Sequence, residues 1–221
     1  MNGADLLDLV QPADGWYAII GVKDKTPRQK LVETREEADK LVQAYVDAGR
    51  DVYFGVAKYA SDDGRKKENV KALKAFWLDI DCGPDKAEVD PVTGRPDGYE
   101  NQTEGLAALK KFCNVVGLPR PTLVDSGRGL HVYWPLTEEI SRAEWEVVAD
   151  RFREVCRTQE FYVDDKVFEV ARVLRVPGTY NFKDEEPNPK ALSGMKRSAR
   201  ASAIASKRSC RRQLREKAAT S

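Results

Sequence analysis

The sequence predicts an α+β domain built on a mixed sheet. Three observations carry that expectation. Strand-like and helix-like segments follow one another with both hairpins and βαβ-like crossovers among them. Neither a GxGxxG nor a GxxxxGK[ST] run is present, which removes support for a doubly wound dinucleotide fold or a P-loop. With 221 residues, 41% hydrophobic and 33% charged, the chain can bury one substantial core, and no internal repeat is visible.

Residues 16–22 (WYAIIGV) read as a short strand rich in aromatic and β-branched residues, and residues 29–32 as a second. Thr34-Arg35-Glu36-Glu37 is a capping box; Leu41, Val42, Tyr45 and Val46 then recur at helical spacing until Gly49 stops the helix. Residues 51–59 form another strand. The polar stretch 60–69 (ASDDGRKKEN) reads as a mobile loop, in which Arg65-Lys66-Lys67 is either a basic binding element or simply solvated. Residues 72–81 form a strong strand. Residues 83–102, with Pro84, Pro91, Pro96 and three glycines, form a long surface loop. Residues 103–116 are an amphipathic helix with Leu106, Leu109, Phe112, Cys113 and Val116 on one stripe. Residues 121–125 and 129–135 are two strands around a glycine turn. Ser141-Arg142-Ala143-Glu144 is a second capping box, opening a helix to about Arg157. Residues 170–176 are a final strand closed by Pro177-Gly178. Cys113, Cys156 and Trp145 fall on helices and read as core.

Charge divides the chain. Residues 188–221 hold ten basic residues and one acidic, a net of +9, leaving −8 for residues 1–187 within a total of +1. The expected organisation is therefore one folded domain over 1–187 and a basic tail over 188–221. The tail is rich in Ser, Ala, Arg and Lys and lacks an apolar stripe, so it reads as disordered or marginally helical. It is either a nucleic-acid-binding tail or a truncated or frame-shifted end. No apolar run approaches the roughly 18 residues of a membrane span, and residues 1–10 lack the basic cluster of a signal peptide. The four cysteines form no CxxC pair, so neither a zinc ribbon nor a disulfide framework is indicated, and a reduced, cytoplasmic setting is expected. Any role that needs histidine falls to His131, the single one.

Three motifs carry chemistry. In Phe76-Trp77-Leu78-Asp79-Ile80-Asp81, alternation puts Phe76, Leu78 and Ile80 on a buried face and Asp79 and Asp81 on the other, about 7 Å apart. Two carboxylates there suit a hard divalent cation, although a lone DxD is also an ordinary solvated strand end. Trp77 adjoins them and either stacks on a base or packs inward. In Ser126-Gly127-Arg128-Gly129-Leu130-His131-Val132-Tyr133, the turn can bring backbone N–H groups to an anion, and Arg128 can grip a phosphate. His131 and Tyr133 then lie on a polar face; the plainer alternative is a surface histidine beside a structural turn. The third motif is Asp164-Asp165 followed by Ala171-Arg172-Val173-Leu174-Arg175-Val176-Pro177-Gly178. Two arginines in an apolar strand are costly unless paired or wet, and alternation points them to opposite faces, so one binds ligand while the other braces an acidic loop. The combination of carboxylates, one histidine, a glycine-arginine turn and downstream basic residues matches the parts of a two-metal nucleotidyl-transfer site.

FWLDIDCG, then SGRGLHVYWPL, then Asp164 with ARVLRVPGTYNFK, resemble the archaeo-eukaryotic primase superfamily, and most nearly the primase-polymerase domains of phage, plasmid and mobile-element replication proteins. The resemblance covers residues 50–187, with the three motifs in the family's order. It implies a small N-terminal α/β unit followed by an RRM-like catalytic unit. It implies Asp79, Asp81 and Asp164 as catalytic ligands of Mg²⁺ or Mn²⁺ in a two-metal site, with Asp165 the adjacent alternative and Glu169 a further acid. It implies Ser126, Arg128, His131, Arg172, Arg175 and Lys183 as nucleotide or template contacts. The expected activity is metal-dependent, template-directed nucleotidyl transfer for primer synthesis. The expected partners are single-stranded DNA, nucleoside triphosphates and a separately encoded replicative helicase. Two competing expectations are a non-catalytic nucleotide- or DNA-binding initiator module and a metal-dependent nuclease.

Overall fold

The structure, a computed structural model, describes residues 3–182; Lys183 and the basic stretch 188–221 lie outside the described residues. Helix α1 (Gly3–Val10) is followed by strands β1 (Tyr17–Lys23) and β2 (Thr26–Val32), helix α2 (Arg35–Asp47), and strands β3 (Asp51–Gly55) and β4 (Lys58–Tyr59). Strand β5 (Val70–Asp81), the short helix α3 (Pro84–Ala87) and helix α4 (Gln102–Val116) come next. Strands β6 (Thr122–Asp125) and β7 (Gly129–Ile140), helix α5 (Arg142–Thr158) and strand β8 (Val173–Arg175) complete the order.

These strands make two four-stranded sheets, ordered β2-β1-β3-β8 and β4-β5-β7-β6. The α+β class is as expected, but among the described residues every strand pairing within the sheets is antiparallel, and parallel pairing is confined to a bridge between Cys82 and Tyr99. The reason lies in the crossover. Helix α4 returns the chain so that β6 runs in the direction of β5 but one strand away, and β7 fills the gap antiparallel to both. This split β5-α4-β6-β7-α5 unit is the RRM-like half. Its outer position beside β5 is taken by β4, from earlier in the chain, while β8 crosses to the first sheet.

Several elements differ from the sequence reading for identifiable reasons. Helix α1 was not foreseen: eight residues are marginal alone, and it is held by Leu6, Leu7 and Val10, buried against β5 and β7. The β1–β2 hairpin turns at Asp24 and Lys25, with φ of 49° and 61°, a two-residue turn in the left-handed region without glycine. Strand β2 starts at Thr26, paired with β1 from the turn onward; residues 26–30 are exposed and without apolar alternation, so no local signal marks them as strand. The segment read as one strand over 51–59 is two, β3 in the first sheet and β4 in the second, joined by the buried Val56 and Ala57. The polar loop at 60–69 is knitted together rather than loose. The Asn69 side chain accepts from Ser61 N (3.1 Å) and donates to Ser61 O (2.9 Å) and Gly64 O (2.8 Å), and Arg65 donates to the Ala171 carbonyl.

Both capping boxes form: Thr34 with Glu37 and Ser141 with Glu144. Asn101 caps α4, its side chain accepting from Thr103 N and Glu104 N, both at 3.0 Å, and Gly117 ends it at φ 77°. Cys113, Cys156 and Trp145 are buried, as expected. Among the described residues no helix is long and apolar enough to cross a membrane.

Candidate active site

The site grows from β5. Its even residues Phe76, Leu78 and Ile80 are buried on the helix-covered face, where α4 brings Gly105 against Ile80 and α5 stacks Trp145 on Phe76. Its odd residues Trp77, Asp79 and Asp81 stand on the opposite face. Antiparallel pairing sets Asp79 directly across from His131 and Asp81 across from Gly129, so the two predicted motifs meet side by side. Gly129 is required there, since a Cβ would collide with the Ile80 carbonyl.

The third acid arrives through the free edge of β5. Among the described residues this edge has no named strand as partner beyond Ala72, and three of its carbonyls are taken by other groups. Trp145 Nε1 donates to Ala75 O (2.9 Å), Asp164 N to Asp79 O (3.1 Å) and Tyr99 N to Asp81 O (3.0 Å). One backbone hydrogen bond thus fixes Asp164 beside Asp79. The Asp164 side chain also caps the turn at Asp165–Phe168 by accepting from Lys166 N at 2.9 Å. Asp165 points elsewhere: it is exposed and paired with Arg157 at 2.8 Å. Glu169 is exposed, and its carbonyl accepts from Arg172 N at 3.0 Å.

Each acid has a cationic neighbour. Arg172 donates to Asp164 and approaches Asp79 at 3.5 Å, and Lys86 lies 3.7 Å from Asp81. The carboxylates face these cations, and among the described residues no three His, Cys, Asp or Glu side chains converge on one point that could hold a metal ion. They still feel one another. Burial, then Asp79, with Asp164 adding, pushes the Asp81 carboxyl above its ordinary value, while Lys86 pulls it down. Burial, helped by Asp81 and Asp79, also pushes the adjacent Cys82 thiol up to about 11. This all-oxygen, mutually repelling set has the chemistry of a hard divalent-cation site.

His131 corrects the sequence reading of its surroundings. It and Tyr133 do not lie on a polar, solvated face; both are buried, and the charges of Arg172 and of Arg175 from β8 of the first sheet reach His131. Burial, with Arg175 and Arg172 adding, pulls the His131 pKa down to about 3, so the imidazole is neutral. Its Nε2 lies 3.7 Å from Asp79 Oδ1, and its buried Nδ1 makes no hydrogen bond. A neutral imidazole offers a phosphate one donor and no charge. Trp77 is likewise core, not a stacking platform: it is 1% exposed, stacks on Trp145 and donates from Nε1 to Val167 O at 2.9 Å.

The glycine turn is pinned by Asp125, whose Oδ1 accepts from Gly127 N (2.8 Å) and Gln102 Nε2 (2.7 Å). Ser126 N donates to Gly129 O at 3.0 Å, Gly127 takes φ 94°, and Arg128 is exposed at the rim. Of the two arginines only Arg175 lies in β8; Arg172 precedes the strand, and the charges of both reach His131. Arg172 faces the acids. Arg175 is the brace, donating to Asp51 Oδ1 (2.7 Å), Tyr180 O (2.8 Å), Asn181 Oδ1 (3.1 Å) and Tyr53 OH (3.2 Å) from a buried position. Its acidic partner sits on strand β3, not on a loop. Sequence reading missed Asp51, Lys86 and Tyr99 in these roles. Asp51 stood at the start of an expected strand, and the other two lay in a stretch read as surface loop.

No family model matches this chain. A curated relative, a replication protein from Clostridium perfringens, is 28% identical over 124 residues, which span 55% of this chain and 27% of that protein. Among solved structures, the archaeo-eukaryotic primase (AEP) domain of the cyanophage S-2L primase-polymerase superposes with a TM-score of 0.52 at 17% identity, covering 78% of each chain. The primase RepB′ superposes with a TM-score of 0.55 at 10% identity, covering 99% of this chain and 61% of its own. The fold of this chain is that of archaeo-eukaryotic primase-polymerase domains.

Proposed function

We propose that this chain is the catalytic domain of a DNA primase or primase-polymerase, joining nucleoside triphosphates on a single-stranded DNA template for phage or plasmid replication. The observation that supports the proposal is the placing of Asp79 and Asp81 on one face of β5, with Asp164 tied beside Asp79 by the Asp164 N to Asp79 O hydrogen bond. The fold likeness and the replication-protein relative support the same reading.

Asp79, Asp81 and Asp164 would hold Mg²⁺ or Mn²⁺, and the metal would supply neutralisation of triphosphate charge and activation of a sugar 3′-hydroxyl. No side chain need act as nucleophile. The backbone of Ser126–Gly129 and the Arg128 guanidinium would bind phosphate oxygens at the rim. Neutral His131, fixed opposite Asp79, would donate one hydrogen bond. Arg172 would bind the triphosphate from the β8 side, with Lys183 a further phosphate contact. Arg175 supports this arrangement from behind by fixing the chain after β8. A replicative helicase encoded separately would be the natural partner.

The test is template-directed incorporation of labelled nucleotides with Mg²⁺ or Mn²⁺, for the wild type and Asp79→Ala. Incorporation by the wild type and its loss in the variant is the expected result. No product with either metal refutes the proposal. Nucleotide binding without incorporation would point to an initiator module, and shortened substrate to a nuclease.

A further inference from the structure

Arg172 sits where a cation would. Its Nη2 bonds to Asp164 Oδ2 and lies 3.5 Å from Asp79 Oδ2, so one guanidinium nitrogen joins both acids. All three side chains are largely enclosed, 16% exposed for Asp79, 23% for Asp164 and 22% for Arg172. The backbone beneath is fixed, Arg172 N donating to Glu169 O (3.0 Å) and Arg172 O accepting from Val56 N (3.2 Å). The buried Nε, in contrast, makes no hydrogen bond. The head is therefore held by ionic contacts to the acids on an anchored stem, an arrangement that exchanges without moving the strand.

We propose that Arg172 is an ionic latch: its guanidinium holds Asp79 and Asp164 together in place of a divalent cation and must withdraw before that cation binds. This rests on the reading of Asp79 and Asp164 as metal ligands. Closing the latch spares the metal-free chain the repulsion of two enclosed carboxylates and lowers its affinity for metal. A triphosphate would offer the released guanidinium new anionic partners, so metal and nucleotide would favour each other's binding.

The test is Mn²⁺ binding without nucleotide or template, read from the electron paramagnetic resonance signal of free aqueous Mn²⁺, together with the Mn²⁺-induced shift in melting temperature. A latch closed in about nine-tenths of molecules weakens apparent metal affinity about tenfold. Arg172→Met should therefore bind Mn²⁺ on the order of tenfold more tightly than the wild type. Arg172→Lys, a compact charge without the guanidinium fork, should fall between them. Arg172→Met should melt below the wild type without metal and gain more from Mn²⁺, and Asp79→Asn should weaken binding in either background. Equal or weaker Mn²⁺ binding by Arg172→Met, with the wild type binding, overturns the latch and leaves the metal reading standing. No binding by either overturns the metal reading and the latch with it. Should circular dichroism show Arg172→Met unfolded, Arg172→Lys decides: tighter binding than wild type supports the latch, equal or weaker binding overturns it.

Discussion

Replacing Asp51 by alanine should destabilise the fold far more than its place at a strand start suggests. The Asp51 and Arg175 side chains are 8% and 5% exposed. Asp51 Oδ1 accepts from Arg175 Nη1 at 2.7 Å and from Phe182 N at 2.9 Å. Removing the carboxylate strands a buried guanidinium and a backbone N–H together. Breaking a buried pair from one side costs about 3–5 kcal/mol, a large share of the roughly 5–15 kcal/mol a domain holds in total. With a urea m-value of about 2 kcal/mol/M, the unfolding midpoint should fall by roughly 1.5–2.5 M. The assay is equilibrium urea unfolding followed by tryptophan fluorescence and circular dichroism. Removing both charges should hurt less, because the penalty is the uncompensated charge and not the lost attraction. Asp51→Leu combined with Arg175→Met should recover at least half of the loss, though Tyr180 O and Asn181 still lose a donor. A loss below about 1 kcal/mol for Asp51→Ala, or a double variant no better than the single, would refute the reasoning.

Two further perturbations test other parts of the fold. Gly129→Ala should lower the melting temperature and, because Gly129 faces Asp81, abolish incorporation as well; its Cβ would collide with the Ile80 carbonyl, and overpacking of this kind costs about 1–3 kcal/mol. An unchanged melting temperature would mean that β5 and β7 part easily there. Lys58 is a buried lysine whose Nζ donates to Gly15 O (3.1 Å) and lies over the Tyr17 ring, and burial pulls its pKa down to about 7. Between about pH 7 and its unfolded value near 10.4 the unfolded chain binds the extra proton, so this group makes stability rise with pH. Lys58→Met should therefore melt above the wild type at pH 6.5, with the gap shrinking toward pH 10, and a gap that widens with pH would contradict this.

How much was legible in the sequence depended on whether a local signal existed. Both helix starts after Thr34 and Ser141 were readable because a capping box is a four-residue device that satisfies its own donors. Strand β5 was readable from alternation alone. The break between β3 and β4 was not, because Val56 and Ala57 are apolar and continue the pattern while the backbone changes sheets. The order of the sheets was not readable either. A crossover through α4 suggests parallel neighbours, and only long-range pairing reveals that β7 stands between β5 and β6.

The same distinction governs the site. Asp79 and Asp81 were placed by periodicity, and Asp164 by likeness of motif. What brings the third acid in has no sequence signal. It is the open edge of β5, where β4 stops pairing at Ala72 and leaves carbonyls for Trp145, Asp164 and Tyr99 to satisfy. An edge strand normally needs protection from other chains, and here one of the protecting groups, Asp164, is also the third acid of the proposed site. The same geometry explains why His131 was misjudged. Alternation correctly put it on the face of Asp79, but polarity of that face was inferred from its acids alone, whereas Trp77, His131 and Tyr133 on it are all buried. Asp81, its side chain 41% exposed against 16% for Asp79, marks where that burial ends. If the proposed function holds, a substrate phosphate would meet the more exposed Asp81 end, with Lys86 and the Ser126–Gly129 turn, before Asp79. On that path Asp79→Asn should impair metal binding more than early nucleotide docking, whereas Arg128→Ala should raise KM for nucleotide before it changes kcat.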